Sequence, residues 1–172
     1  MKFLIVSSNF WPEPTGISIY TTEIANSLLA QGNEVEVLTG LPHYPWWKVP
    51  SKYAHFKEGA QVHNGFTIIR AKHFVPNKMN ALLRIHYEFS LWWNLRRVAS
   101  KWISDDFDAV IAFMPTVAAG IVGKTIAMRL KIPFGLIVQD FSGAGAKQSG
   151  LRGGRAISKV AEIIENIILK SA

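Results

Sequence analysis

The sequence contains no cysteine among its 172 residues. A disulfide framework and a thiolate metal site are therefore excluded, and the absence suits the cytoplasm, where we expect this protein. No window approaches 18 uninterrupted apolar residues, the length that a membrane-spanning helix requires. The start of the chain does not resemble a signal peptide, because its apolar run is short and a proline-rich segment follows.

Two phosphate-binding motifs are also missing. The chain has neither the G-x-G-x-x-G fingerprint of dinucleotide-binding folds nor the G-x-x-x-x-G-K-[ST] motif of a P-loop. The five histidines lack the spacing of metal ligands, so we expect no metal. A dehydrogenase of the Rossmann type is disfavoured by the missing fingerprint.

Positive charge is concentrated in the middle of the chain. Residues 41–103 carry ten lysines and arginines against two glutamates, whereas the whole chain has a formal net charge of +7. Such a segment indicates an anionic partner, which could be nucleic acid, an acidic membrane surface or a phosphate-bearing substrate. Nucleic acid is the least favoured of these because no nucleic-acid-binding motif accompanies the charge.

The order of apolar patterns predicts an α/β fold. A buried strand over residues 2–8 is followed by a proline- and glycine-containing loop and a helix from Ile17 to about Gln31. Further strands are predicted over residues 34–39, 66–71, 109–113 and 134–138, a hairpin turn at Asn64-Gly65, and helices over 77–103, 116–130 and 156–170. This alternation predicts a Rossmann-like, doubly wound, mostly parallel sheet forming one domain over residues 1–172.

The loops after the strands are the first candidates for a functional surface. In open parallel sheets, ligands bind outside the carboxyl ends of the strands. Thr15 and Gly16 precede the first helix, whose free backbone N–H groups could contact a phosphate or a sugar. The simpler alternative is a tight turn with no ligand. His43 is the best placed of the histidines, in an aromatic- and proline-rich loop after the second strand.

Two segments carry a specific resemblance. Asn-Phe-Trp-Pro-Glu-Pro-Thr-Gly-Ile from residue 9 and Leu-Pro-His-Tyr-Pro from residue 41 closely resemble the start of family 4 glycosyltransferases. The chain is most similar to members that build exopolysaccharide, colanic-acid-type or capsular polymers. The resemblance implies a GT-B architecture, with two Rossmann-like domains facing a cleft, and metal-independent, retaining transfer of sugar from a UDP- or GDP-linked donor without a cofactor.

The resemblance also predicts what this chain lacks. The nucleotide-binding half of the family has paired glutamates eight residues apart, whereas Glu162 and Glu165 here are three apart. We therefore expect the acceptor-side, N-terminal domain of a GT-B enzyme, without the nucleotide-sugar-binding domain and inactive alone.

Individual residues take roles from the same resemblance. Asp140 is the predicted catalytic residue, because a carboxylate would stabilise positive charge that develops at the anomeric carbon of the transferred sugar. A cap for the following loop or helix is the alternative for Asp140. The predicted substrate-binding residues are Thr15, Gly16, His43, Tyr44, Gln139 and Gly143.

The long helix suggests a membrane partner. Its cationic and aromatic side chains suit a helix that lies on anionic lipid, and the residues concerned are Arg84, Trp92, Trp93, Arg96, Arg97 and Lys101. The alternative is that the aromatic residues belong to the core. Because family acceptors are often polyprenyl-linked, the resemblance favours a position on the inner face of the plasma membrane. A non-catalytic membrane-docking module is the rival interpretation of the whole chain.

Overall fold

A computed structural model describes residues 1–56 and 58–139. The predicted residues Asp140 and Gly143, the glycine-rich loop and the helix over 156–170 lie outside these described residues.

Six strands and three α-helices follow one another along the described part of the chain. The strands are β1 (Lys2–Ser7), β2 (Glu34–Gly40), β3 (Glu58–His63), β4 (Phe66–Ala71), β5 (Ala109–Met114) and β6 (Phe134–Val138). The helices are α1 (Ile17–Ala30), α2 (Ala81–Trp102) and α3 (Val117–Leu130), and a short 3-10 turn covers Ser51–Tyr53.

The strands form one sheet in the order β3-β4-β2-β1-β5-β6. Every neighbouring pair is parallel except β3 and β4, which are antiparallel and form an edge hairpin. The predicted fold class is therefore confirmed, with the hairpin as the single antiparallel addition to the parallel sheet among the described residues. The carboxyl ends of β1, β2, β4, β5 and β6 all meet at the same edge of the sheet.

Local side chains set the element boundaries. Asn64 and Gly65 have φ of 48° and 85°, which is the positive-φ pair that a two-residue hairpin turn of type I′ requires. Helix α2 begins at Ala81, later than the predicted residue 77, because the Asn80 side chain accepts a hydrogen bond from the Leu83 N–H at 2.9 Å and caps the helix.

Helices cover both faces of the sheet. Helix α1 packs on one face, where Ala25 and Ile24 meet Ile5, Val37 and Ile68. On the opposite face, a larger cluster joins Leu91, Leu95 and Val98 of α2 and Ala118, Ala119 and Val122 of α3 to Leu4, Val6, Leu38 and Val110. These alternating strand residues explain why β1 is apolar on both sides.

Candidate functional site

Glu13 joins the loop after β1 to the loop after β2. Its Oε1 atom accepts hydrogen bonds from the backbone N–H groups of His43 and Tyr44, at 2.7 and 2.8 Å, and from the Asn9 side chain at 3.0 Å. The residue is 7% exposed, so protein donors replace water at Oε1, whereas the buried Oε2 atom has no hydrogen-bond partner among the described residues. Two loops that are about 30 residues apart in sequence are thereby held together by one oxygen atom.

The hydrogen bonds continue across the sheet edge to β5. Thr116, just before α3, donates to the Ser8 hydroxyl at 2.6 Å, and Ser8 donates to the Asn9 side-chain oxygen at 2.6 Å. Asn9 in turn donates to Glu13. We call Thr116, Ser8, Asn9 and Glu13 the edge chain, and it connects the ends of three adjacent strands, β5, β1 and β2.

A buried arginine of β4 is hydrogen-bonded to the end of β2 and to the loop after β1. Arg70 is fully buried, donates to the Gly40 carbonyl at 3.2 Å and also donates to the Trp11 carbonyl. Its guanidinium lies 5.4 Å from the centre of the Tyr53 ring. Burial lowers the pKa of Arg70, while the negative charge of Glu13 opposes that shift. The two buried charges attract each other without forming a direct ion pair, and Arg70 Nε has no hydrogen-bond partner among the described residues.

Two histidines and a tyrosine fill the space between these loops and α2. The ring of His43 lies 5.0 Å from that of His73 and 5.5 Å from that of Tyr87, measured between ring centroids. Burial lowers the pKa of His43 and lowers the pKa of His73 to about 3, so both imidazoles are neutral at pH 7. Burial also raises the pKa of the Tyr87 hydroxyl.

Gly16 and Tyr44 form the exposed part of this edge. Gly16 has φ of 68° and ψ of −148°, a combination that is essentially restricted to glycine. A Cβ atom at Gly16 would lie 3.0 Å from the Tyr44 ring, so the ring covers the turn at the start of α1. Tyr44 is itself 36% exposed, which leaves this ring and the Gly16 backbone accessible together.

The structure brings several predicted site residues together. Thr15, Gly16, His43 and Tyr44 lie in the two joined loops, and Gln139 follows β6 at the same edge of the sheet. The side chain of His43 is only 1% exposed, so Tyr44 is the accessible member of that pair. Acceptor binding by His43 and catalysis by Asp140, which lies outside the described residues, stay predictions.

Helix α2 presents an apolar stripe at its surface. The stripe consists of Leu82, Ile85, Phe89 and Trp93, which are 77%, 47%, 59% and 52% exposed. Their spacing of three or four residues places them on one side of the helix. We call these four residues the α2 stripe.

The basic residues of α2 are less free than the sequence pattern indicates. Arg84 pairs with Glu88 at 2.9 Å, Lys101 pairs with Glu58 at 2.8 Å, and Arg97 also pairs with Glu58. Arg96 lies 5.9 Å from the centre of the Trp92 ring, and Trp92 is partly buried against the core. Of the predicted membrane residues, Trp93 and Arg96 are therefore the most available for an external partner.

A groove opens beside β4 at the carboxyl edge. It has a volume of about 880 Å³ and lies between the loop after β2, residues 72–77 and α2. Its lining includes Trp47, Lys48, Lys72, His73, Asn94 and Arg97.

Glu13, Arg70, His73 and Tyr87 were missed by the sequence analysis. A charged residue between Pro12 and Pro14 was the available signal for Glu13, and Arg70 interrupts the otherwise apolar end of β4. Neither signal distinguishes a buried charge from an exposed one, because burial depends on loops that are distant in sequence.

Two negative findings apply to residues 1–56 and 58–139. No cluster of three or more histidine, aspartate or glutamate side chains there could hold a metal ion. No helix in the same ranges is long and apolar enough to cross a bilayer.

The sheet order, with helices on both faces, defines a Rossmann-like α/β domain. The chain is similar in structure to sucrose-phosphate synthase from Thermosynechococcus elongatus, with a TM-score of 0.56 and 14% sequence identity over 99% of this chain and 40% of that one. At this identity the likeness concerns the fold alone.

Sequence comparison gives the family. The family model described as a glycosyl transferase 4-like domain matches residues 15–172, so this chain belongs to that family. It is also 30% identical over 171 residues to WcaI of Escherichia coli strain K12, which carries the name of a colanic acid biosynthesis glycosyl transferase. That alignment covers 95% of this chain and 40% of the relative, so the chain spans less than half of the relative's length.

Proposed function

We propose that this chain is the acceptor-side domain of a retaining glycosyltransferase. The enzyme would transfer a sugar from a UDP- or GDP-linked donor to a saccharide or polyprenyl-linked acceptor, with a second, nucleotide-binding domain facing the carboxyl edge. The observation that carries this proposal is the edge chain, which fixes the loops after β1 and β2 as one surface in a member of the glycosyl transferase 4-like family.

The residues of that surface have distinct roles in the proposal. Thr15 and Gly16 present backbone N–H groups at the start of α1 to donor phosphate or acceptor hydroxyl groups. Tyr44 packs beside them and contacts the sugar ring. The Asp140 carboxylate stabilises the positive charge that develops at the anomeric carbon, while Gln139 and Gly143 contact the substrate beside it. The reaction needs no metal and no cofactor in this scheme.

We further propose that the domain works on the inner face of the plasma membrane. The α2 stripe exposes two large aromatic and two aliphatic side chains, with Arg96 beyond its carboxyl-terminal end. Such an arrangement favours insertion of the aromatic rings at the level of the lipid headgroups and attraction of the cation to anionic lipid. A module that docks on the membrane without catalysis is the rival function, and the transfer experiment separates the two.

A chimera tests the proposed catalytic role. This chain replaces the matching segment of the Escherichia coli relative, and transfer of radiolabelled sugar is measured from a panel of UDP- and GDP-linked donors to a membrane lipid extract. We expect transfer above background with one donor. The Asp140→Asn chimera should lose roughly two orders of magnitude in rate, because a charge that acts only in the transition state is removed.

The matched control is the Glu23→Gln chimera, which removes an exposed carboxylate on the solvent side of α1. It should keep the parent rate. A folded chimera that transfers no sugar from any donor, or an Asp140→Asn chimera as active as its parent, contradicts the proposed function.

A further inference from the structure

The groove beside β4 is electropositive. Lys48 and Lys72 are exposed at its rim and have no ion-pair partner within residues 1–56 and 58–139. Arg97 and Glu58 also line it, but they pair with each other, and Glu58 binds Lys101 as well. The two unpaired lysines therefore leave an excess of about two positive charges facing the same space.

His73 is the most buried residue of the lining. His73 is 7% exposed, and its Nδ1 atom accepts the Leu41 N–H at 3.3 Å. Nδ1 also lies 3.5 Å from the Ala71 carbonyl oxygen. The Nε2 atom is buried and has no partner among the described residues, so His73 closes the inner side of the groove without presenting a polar side-chain atom to it.

Trp47 connects the groove to the exposed edge. Trp47 lines the groove, and its ring lies 6.2 Å from the Tyr44 ring, measured between centroids, at an interplanar angle of 87°. Tyr44 in turn covers Gly16. An indole ring at this position provides an apolar face for the C–H groups of a sugar, so a saccharide in the groove would extend towards the turn at the start of α1.

Helix α2 places the groove beside its apolar stripe. The groove is lined on this side by Ser90, Asn94 and Arg97. Each of them comes one residue after Phe89, Trp93 or Arg96, which share one side of α2. Successive helical residues are about 100° apart around the axis. The groove therefore lies on the flank of the stripe, within reach of a headgroup at a bilayer surface.

We propose that this groove binds the phosphate-bearing sugar of the acceptor, with Lys48 and Lys72 on the phosphate and Trp47 against the sugar ring. A phosphate carries up to two negative charges, which matches the lysine excess. The inference deepens the proposed function and rests on it, because the ligand is taken to be the acceptor. The phosphate could belong to a soluble sugar phosphate or to a lipid-linked sugar.

Binding by the 172-residue chain tests the groove directly. Calorimetric titration with glucose 1-phosphate and with glucose compares the charged and the neutral sugar, and flotation with vesicles that contain polyprenyl-diphosphate-linked glucose supplies the lipid source. We expect binding in at least one phosphate-bearing arm and none with glucose. Lys72→Gln and Lys48→Gln should each weaken it roughly tenfold, since a hydrogen bond to a charged group is lost.

Two further variants complete the design. Lys124→Gln removes a lysine on α3, away from the groove, and should bind like the parent chain. Asn94→Trp keeps the charge but fills the groove and should abolish binding, with thermal unfolding used to check that the variant is folded. Equal binding of glucose and glucose 1-phosphate, absence of binding in both phosphate arms, or lysine variants that bind like Lys124→Gln would overturn the proposal.

The chimera distinguishes this failure from failure of the proposed function. If the chimera transfers sugar while Lys48→Gln and Lys72→Gln leave its acceptor KM unchanged, the groove proposal is wrong and the transferase proposal stands. If lysine-dependent binding persists but no chimera transfers sugar, the groove binds a phosphate-bearing sugar, but the transferase proposal and the acceptor role of that ligand are wrong.

Discussion

A single residue, Glu13, shows where sequence reasoning stops. The sequence places it in a loop at a strand end, which is correct, but its two backbone partners come from the loop after β2. Only the folded sheet brings those N–H groups within 3 Å of a carboxylate between two prolines. The turn at Gly16 was predicted because its chemistry is local, whereas the contacts of Tyr44, Arg70 and His73 depend on residues that are distant in sequence.

Gly16 allows a matched test of backbone strain against local crowding. Gly16→Ala should destabilise the chain by about 2–3 kcal/mol, because φ of 68° with ψ of −148° strains any residue with a Cβ and the Tyr44 ring crowds the methyl group. Gly32 also has a positive φ, of 80°, but a Cβ atom there would meet no atom within 4 Å. Gly32→Ala should therefore lower the free energy of unfolding by only about 1 kcal/mol. Urea unfolding measures both values. Equal destabilisation by the two variants would show that the Gly16 turn is not constrained in this way.

Stability should fall in mild acid because of His73. Its pKa is lowered from 6.5 to about 3 by burial, so the unfolded chain binds the proton first as the pH drops. The free energy of unfolding is unaffected by this group above pH 6.5 and falls progressively towards pH 3. The loss is about 2 kcal/mol at pH 5. The lowered pKa of His43 acts in the same direction.

His73→Asn isolates this effect, since its side-chain oxygen can still accept the Leu41 N–H but does not titrate. The free energy of unfolding of this variant should change less between pH 7 and pH 5 than that of the parent chain. His86→Asn, at an exposed position on α2, serves as the control and should keep the parent's dependence. A parental dependence in His73→Asn would contradict the assignment.

At the scale of elements, periodicity predicted helix α2 but not its surface. The pattern gave a basic and aromatic helix, and only the packing shows that Leu91, Leu95 and Val98 face the core while the α2 stripe faces outwards. The same packing turns Trp92 partly inwards and pairs most of the cations. Intrinsic pattern thus fixes the presence of an element, while its neighbours decide which of its faces is available.

The α2 stripe predicts membrane binding that depends on its aromatic residues. Phe89→Ser together with Trp93→Ser should reduce partitioning onto vesicles of phosphatidylcholine and phosphatidylglycerol by more than about tenfold, because two large apolar side chains no longer insert. Flotation measures the bound fraction. Ile19→Ser with Tyr20→Ser removes two comparably exposed residues of α1 and should have little effect. Similar losses in both double variants would rule out α2 as the docking surface.

At the scale of the whole molecule, alternation of strands and helices predicted the sheet correctly. Parallel strands joined by helices leave few topologies that satisfy the handedness and burial rules, so the pattern suffices. The charge distribution was less informative, because ion pairs with Glu58 and Glu88 neutralise much of α2. Net charge describes the sequence, whereas the surface potential depends on which charges the fold brings together.

The salt dependence of binding should therefore distinguish a membrane partner from a nucleic-acid partner. Retention on single- and double-stranded oligonucleotides rests on charge alone and should disappear between 50 and about 200 mM salt. Vesicle binding should persist over the same range, because insertion of the α2 stripe is not screened. Oligonucleotide binding that outlasts vesicle binding as salt is raised would favour nucleic acid as the partner.

The edge chain has a consequence for anyone who wishes to alter specificity by loop grafting. The loops after β1 and β2 are joined through one carboxylate oxygen of Glu13. Replacing only the first loop would leave two backbone N–H groups without an acceptor, and replacing only the second would leave a buried carboxylate without these donors. A productive exchange between relatives should therefore carry Glu13 and the main chain of residues 43–44 together.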